Sequence, residues 1–234
     1  MKSLLRTLAL AVVCLAAPLQ SPAQTAEEGA WWSYREAYRA LVRFDKLGTP
    51  KHLIQQRLQV QPRAPGTATE GLRLSLQGAR TALELPLDAA LHAQVPLLKS
   101  AFDDNAALRL NRPATAFAFR VRLSISPRPD GLYALSELRA ACAQVLAVRQ
   151  QIEPARFEGK RCVGVSLAFP RGTQPGLSLQ PADASIPLAA TPGPLYPGEA
   201  DREHAVVQLR WERLPEGAQL RVAALPLVVA ALIE

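Results

Sequence analysis

The sequence is poor in the residues that build most recognisable catalytic and metal sites. It has three histidines and three cysteines in 234 residues, and no histidine lies in an HExxH pair or at zinc-ligand spacing from a cysteine. It contains no GxSxG, SxxK, GxGxxG or Walker motif. These absences exclude motif-bearing zinc, serine-nucleophile and nucleotide sites, so we expect no metal, no cofactor and no catalytic residue identifiable from motifs. A catalytic site made of residues dispersed along the chain stays open.

Apolar runs of transmembrane length are also lacking. The C-terminal run over residues 225–234 is apolar but short, and Pro226 interrupts it, whereas a membrane-spanning helix needs about 20 apolar residues. Such a run is typical of a strand buried in a core. We therefore predict a buried terminal strand and no transmembrane anchor.

The first residues have the pattern of a secretory signal peptide. Lys2 and Arg6 form a basic start, residues 7–17 are an apolar stretch, and small residues precede a cleavage site after about Ala23. Cys14 follows a valine rather than the small residue that a lipoprotein signal requires, so lipidation is the less favoured alternative. Cleavage removes two basic residues and no acidic one, which lowers the formal net charge from +7 to +5. We expect a periplasmic or secreted protein.

Short amphipathic strands dominate the rest of the sequence. Twenty prolines and 6% aromatic residues favour short strands and turns over long helices. Segments such as FAFRVRLSIS at residues 117–126 alternate apolar and polar positions, as in sheets with one solvated face. We predict a strand-dominated α+β fold with two tandem antiparallel sandwich-like modules, residues 24–128 and 129–234, each preceded by one helix. The alternative is one continuous α+β domain.

Two helices are predicted. Ser33 and Glu36 fit a capping box at the start of the first, and its apolar stripe consists of Trp31, Tyr34, Tyr38 and Leu41. The second covers about residues 136–150, with Ser136 as its N-cap and Pro154 preventing continuation. Its apolar face consists of Leu138, Ala141, Cys142, Val145 and Val148. Both faces are expected to pack on sheets.

The two halves share short sequence matches. The tetrapeptide LSLQ occurs at residues 74–77 and 177–180, and a constant offset of 101 aligns several other positions. The aligned pairs include Pro86 with Pro187, Leu87 with Leu188, Arg109 with Arg210, and Val121 with Val222. The matches predict an internal repeat whose halves superpose at this offset. The alternative is that two unrelated sets of amphipathic strands resemble each other.

Arginine is the one polar residue type with a pattern. Six arginines are predicted on strands, opposite apolar positions: Arg73, Arg109, Arg120, Arg122, Arg210 and Arg221. The planar guanidinium group suits phosphate and carboxylate, so these residues are candidate contacts for an anionic component of the cell envelope. The alternative is a solvated sheet face whose charge prevents edge-to-edge aggregation. A nucleic acid partner is not expected, because the protein is expected to be exported and its basic residues are not interleaved with exposed aromatic ones.

The cysteines predict a disulfide. Signal cleavage removes Cys14 and leaves Cys142 and Cys162, and exported proteins fold in a compartment that oxidises thiols. Cys142 lies on the predicted inward face of the second helix, and Cys162 opens the following strand. A helix that packs on its own next strand would bring the two sulfur atoms together.

Export, the absence of catalytic motifs and the arginine pattern together lead to one functional hypothesis. We expect an exported soluble binding or accessory protein of the cell envelope, acting without a cofactor through sheet faces or edges. Its partner would be an anionic envelope component or another envelope protein. The alternatives are an envelope hydrolase with a dispersed catalytic site and a structural subunit of an envelope complex.

Overall fold

A computed structural model of the chain describes residues 29–113, 115–180 and 188–234, without the side chains of residues 29–31. The predicted signal peptide lies outside the described residues. Strands account for 37% of the chain and helices for 22%, which confirms a strand-dominated α+β, sandwich-like fold. No helix in the described part of the chain is long and apolar enough to span a membrane.

The described residues of the first half form seven strands and two helices. They are β1 (Gly29–Ser33), α1 (Tyr34–Asp45), β2 (Ile54–Pro62), β3 (Leu74–Gln77), β4 (Ala82–Leu85), β5 (His92–Ala93), α2 (Lys99–Asp103), β6 (Ala107–Pro113) and β7 (Phe117–Ile125). The predicted boundary at residues 128/129 falls in the connection that follows β7.

The second half also begins with a strand that leads into a helix. Its elements are β8 (Leu132–Ala134), α3 (Leu135–Ile152), α4 (Pro154–Phe157), β9 (Cys162–Phe169), β10 (Leu177–Gln180), β11 (Thr191–Gly193), β12 (His204–Arg210), a 3₁₀ turn (Trp211–Arg213), β13 (Gln219–Val222) and β14 (Val228–Ile233). The predicted buried terminal strand is confirmed by β14, in which four of six residues are buried.

Within the described ranges, the strands form three antiparallel sheets. The largest has seven strands in the order β11-β12-β9-β14-β7-β2-β5, and the others have the orders β1-β6-β3-β4 and β10-β13-β8. Strands β7 and β14 meet in the large sheet through the pair Ile125 and Val229. The large sheet therefore contains strands from both halves of the chain.

One face of the large sheet is apolar and supports two cores. In the first half this face shares a core with α1 and the four-stranded sheet, around residues such as Leu58, Leu76 and Leu108. In the second half it shares a core with α3 and the three-stranded sheet, around residues such as Leu167 and Leu220. Burying these alternating side chains is the main term that stabilises the two layers. The opposite face of the large sheet is polar where β2 and β7 pair.

Helix α3 confirms the predicted apolar face and corrects the predicted cap. All five residues assigned to that face are buried. The residue before the helix is Ala134 rather than Ser136, and it makes no side-chain cap. Because β8 runs directly into the helix, the free Leu135 amide instead donates to the carbonyl oxygen of Ala218 at 3.1 Å. A neighbouring backbone carbonyl group therefore accepts a hydrogen bond from a free amide at the start of the helix, as the serine side chain was expected to do.

Helix α1 requires similar corrections. The residues before it form β1, so the helix starts at Tyr34, whose amide donates to the carbonyl oxygen of Ala106 at 3.0 Å. The predicted capping box is wrong, since Ser33 makes no side-chain cap. The Glu36 carboxylate instead accepts from the indole nitrogen of Trp32 at 2.7 Å.

The predicted constant offset between the halves is wrong. Val121 lies on β7 in the large sheet, whereas Val222 lies on β13 in the three-stranded sheet. Leu87 and Leu188 lie outside strands. A constant offset fails because the connected elements differ in length, α1 having 12 residues and α3 having 18.

The strand pairing of the halves nevertheless corresponds when the offset varies. The order β1-β6-β3 matches β8-β13-β10, and β2-β7 matches β9-β14. The two LSLQ strands are equivalent in this scheme: Ser75 pairs with Arg109, and Ser178 pairs with Arg221. The tetrapeptide thus occupies the same place in both small sheets.

Cys142 and Cys162 lie where the sequence predicted. Their Cα atoms are 6.1 Å apart and their sulfur atoms are at disulfide distance, within the Cα separation that a bridge requires. The bridge joins the middle of α3 to the first residue of β9. It therefore fixes the helix to the next strand across the connection that contains α4.

Candidate binding surfaces

The structure distributes the six predicted arginines over three sheets. Arg120 and Arg122 lie on β7, Arg210 on β12, Arg221 on β13 and Arg109 on β6. Arg73 was predicted on a strand, but it lies one residue before β3. Its backbone amide donates to the side-chain oxygen of Asn111 at 2.8 Å, and its carbonyl oxygen accepts from the Asn111 amide at 3.2 Å.

Three of these arginines have partners within the protein. Arg120 donates to the side-chain oxygen of Gln61, and Arg210 forms an ion pair with Glu234. Arg122 forms an ion pair with Glu199. These hydrogen bonds leave fewer N–H groups of the three guanidinium groups free to donate to an external anion.

Arg73 and Arg109 lie together on the outer face of the four-stranded sheet. They line a cavity of about 310 Å³ with Ser75, Gln77, Glu84, Leu110 and Asn111. Within the described residues, no side chain forms a hydrogen bond or ion pair with either guanidinium group. The strand register places Arg109, Ser75 and Glu84 in one row across the sheet, so a short serine lies between a cation and an anion.

A second polar region covers the other face of the large sheet, and the sequence did not predict it. Gln59, His92, Ser124 and Ser166 are buried there. Residues 194–203, which connect β11 to β12, lie over this region, and we call them the strap. Leu195 and Tyr196 of the strap are buried against apolar residues of β9, β12 and β14. The sequence of the strap, PLYPGEADRE, is rich in proline, glycine and acidic residues, a composition typical of loops.

Tyr196 anchors the strap to His92. Its hydroxyl oxygen lies 3.0 Å from His92 Nε2, and the guanidinium carbon of Arg122 lies 4.7 Å from the centre of its ring. Burial raises the pKa of the Tyr196 phenol, so the hydroxyl stays protonated. The other ring nitrogen of His92 lies 3.6 Å from the carboxylate of Asp88.

Asp88 is held as a carboxylate by its own turn. Partial burial acts to raise its pKa, but hydrogen bonds from His92 and from the Ala90 amide outweigh that effect and keep the pKa below its ordinary value. Both ring nitrogens of His92 therefore face protein groups. In this conformation, the cluster holds the strap in place and offers no free imidazole nitrogen to a substrate.

An ion pair provides the second anchor of the strap. Glu199 accepts from Arg122 and from the Gln61 amide, the latter at 3.2 Å, while its other oxygen accepts from the Tyr196 backbone amide at 3.2 Å. Arg122 also donates to the side-chain oxygen of Gln59 at 2.6 Å. Burial lowers the pKa of the Arg122 guanidinium, and an arginine remains charged despite such a shift. Beside this anchor lies a cavity of about 400 Å³.

We expect Tyr196→Phe to lower the free energy of unfolding by about 1–3 kcal/mol, because it leaves the buried His92 Nε2 without its partner. Tyr38→Phe is the matched control, since the Tyr38 ring is only partly buried and its hydroxyl has no hydrogen-bond partner among the described residues. Urea denaturation of both variants measures the difference. Equal stabilities would show that the contact between Tyr196 and His92 contributes nothing measurable.

Comparison with known proteins identifies no relative of this chain, so the candidate sites are argued from the geometry alone. No protein-family model, curated protein or solved structure matches the chain. Among the described residues, no group of three or more histidine, cysteine, aspartate or glutamate side chains is placed to hold a metal ion. The arginine-lined cavity and the strap region are thus the two candidate sites.

Proposed function

We propose that the protein is an exported binding or accessory protein of the cell envelope, and that it binds a phosphate or carboxylate group through Arg73 and Arg109. The N-terminal pattern supports export. The pairing of Cys142 with Cys162 supports folding in an oxidising compartment.

The observation that carries the proposal is the pair of guanidinium groups beside one cavity. Arg73 and Arg109 lack a carboxylate partner within the described residues, although both line a depression floored by Ser75. Guanidinium groups bind phosphate and carboxylate through two parallel hydrogen bonds. The Ser75 hydroxyl, which accepts from Gln77 at 3.0 Å, adds a polar floor.

Glu84 limits the charge that this site accepts. It lines the same cavity as the two arginines, so the three side chains carry a net charge of one positive unit. A single phosphate or carboxylate group matches that charge better than a polyanion, which Glu84 would repel. The proposed partner is therefore a discrete anionic headgroup.

The test is binding to vesicles of phosphatidylcholine, with and without phosphatidylglycerol. We expect binding to the anionic vesicles only, and a loss of at least tenfold in the Arg73→Ala/Arg109→Ala variant. Raised salt should weaken binding, because exposed charges are screened beyond about 10 Å at 0.1 M.

The control variant is Arg171→Ala/Arg213→Ala, which removes the same charge from exposed positions outside the cavity. It should bind as the unmodified protein does. An equal loss in both variants would reduce the effect to general charge, and no binding at low salt would overturn the proposal.

We also propose that the two halves arose as an internal repeat with insertions. The matching strand order and the equivalent LSLQ strands support this proposal. An experimental structure tests it by superposition. The pair Ser75 and Arg109 should then fall on Ser178 and Arg221 in the same register, and a shifted register would contradict it.

A further inference from the structure

The cavity beside the strap is a separate site from the arginine-lined one. It has a volume of about 400 Å³ and lies between the segment that follows β2, the turn at Ala89–Leu91 and the second part of the strap. Small-molecule sites range from roughly 300 to 1,000 Å³. A cavity at the lower end of this range suits a single small ligand or the end of a chain.

Gln59 supplies a hydrogen-bond donor to this cavity. The residue is 4% exposed and lines the cavity. Its side-chain oxygen accepts from Arg122, and because an arginine only donates, the Gln59 nitrogen must be the other end of the amide. Within the described residues, no group accepts from that nitrogen. This nitrogen is not one of the buried side-chain atoms that lack a partner, so it keeps solvent access and can donate to an acceptor in the cavity, such as a carbonyl oxygen.

The acidic residues of the strap, in contrast to Gln59, require a hydrogen-bond donor from the ligand. Asp201 and Glu203 line the same cavity, and Glu203 has no side-chain partner among the described residues. Asp201 Oδ1 accepts from the Glu203 amide at 3.2 Å, which leaves its second oxygen for a ligand. Glu199 is excluded from this role because Arg122, Gln61 and Tyr196 already donate to it. Arg63 also lines the cavity and donates to the carbonyl oxygen of Phe117 at 3.0 Å. The two carboxylates outnumber this cation, so the lining favours a cationic donor.

The walls restrict the ligand further. They include Pro62, Pro65, Ala90, Leu91 and Leu195, which suit a small apolar side chain. Among the described residues that line the cavity, none is aromatic, so the stacking surface that many sugar sites use is not provided. His204 Nδ1 is buried at the rim without a hydrogen bond and lies 3.6 Å from Asp201.

We propose that this cavity binds the free N-terminus of a short peptide with a small apolar first residue. The ammonium group lies at Asp201 and Glu203, and the first carbonyl oxygen accepts from the Gln59 side-chain nitrogen. Capture of a terminal amine is a recurring mode of peptide recognition. The site is independent of Arg73 and Arg109, so the Arg73→Ala/Arg109→Ala variant should retain it.

The probes are trialanine, trialanine amide and N-acetyl-trialanine, titrated by calorimetry and by NMR. We expect trialanine and its amide to bind with similar affinity, because amidation changes only the C-terminus of the peptide. N-acetyl-trialanine should bind at least tenfold more weakly. Equal affinity of the acetylated peptide, or no saturable binding of any of the three, would overturn the proposal.

Substitutions at two positions test the assigned contacts, and Asp201→Asn and Gln59→Glu also preserve the internal ones. Asp201→Asn keeps an oxygen for the Glu203 amide and removes the charge, and we expect at least a fivefold loss of trialanine affinity. Gln59→Glu keeps the acceptor for Arg122 and removes the donor, and Gln59→Met serves if the added charge prevents folding. Either Gln59 variant should weaken binding about tenfold.

Glu216→Gln is the control, since it removes one acidic charge from an exposed turn outside the cavity. It should leave trialanine binding unchanged. If it weakens binding as much as Asp201→Asn does, the peptide responds to net charge rather than to this cavity. Unchanged binding in the Asp201 and Gln59 variants would place the peptide elsewhere.

Discussion

The Cys142→Ala/Cys162→Ala variant is expected to unfold with a free energy about 3 kcal/mol lower than that of the oxidised protein. The bridge joins residues that are 20 positions apart in sequence. In the chain-entropy model, closing a loop of that size lowers the entropy of the unfolded chain and stabilises the folded protein by about 3 kcal/mol. This is a large share of the ~5–15 kcal/mol that stabilises an ordinary domain. Urea denaturation of the two proteins measures the difference.

Reductant provides the control for this variant. Adding it should lower the stability of the unmodified protein towards that of the double variant and leave the double variant unchanged. Intact mass after thiol alkylation, on protein purified without reductant, tests the bridge itself. Two alkylated cysteines in that sample would contradict it, whatever the stability of the variant.

The disulfide could be predicted because the reasons for it are local. Helical spacing placed Cys142 on the inward face of α3, and the strand that begins at Cys162 follows closely in sequence. The apolar face of α3 and the alternating strands were predictable for the same reason, since 3.6-residue and two-residue periods are properties of single elements. The predictions of the helix caps were wrong because the first helical amides donate to carbonyl groups that are distant in sequence, those of Ala106 and Ala218.

The strap and its anchors could not be predicted, because they depend on tertiary contacts. His92, Arg122 and Tyr196 meet only after β5, β7 and the strap have been assembled around one sheet face. No spacing in the sequence connects them. For the same reason the predicted arginine set divided into exposed residues and buried ones: alternation showed that Arg122 and Arg120 leave the apolar face, but not that the strap covers part of the other.

The assembly of the large sheet also leaves no room for a side chain at Gly164. Gly164 lies on β9 and pairs with β12 on one side and β14 on the other. A Cβ atom added there would lie 2.1 Å from the carbonyl oxygen of Leu209 and 3.1 Å from the Cα atom of Arg210. Both obstacles are backbone atoms, so no side-chain rotation relieves the overlap, and β9 and β12 must separate.

We therefore expect Gly164→Ala to lower the free energy of unfolding by about 3 kcal/mol or more, at the upper end of what overpacking costs. For a chain of this size that corresponds to a fall in Tm of roughly 6–12 °C. Gly48→Ala is the matched control, because nothing lies within 4 Å of its added Cβ and its φ angle is not in the left-handed region. The control should be neutral or stabilising by up to about 1 kcal/mol, since alanine restricts the unfolded chain. Thermal unfolding of both variants measures the contrast, and similar small shifts in the two would show that β9 and β12 are not packed as closely at Gly164 as the structure has them.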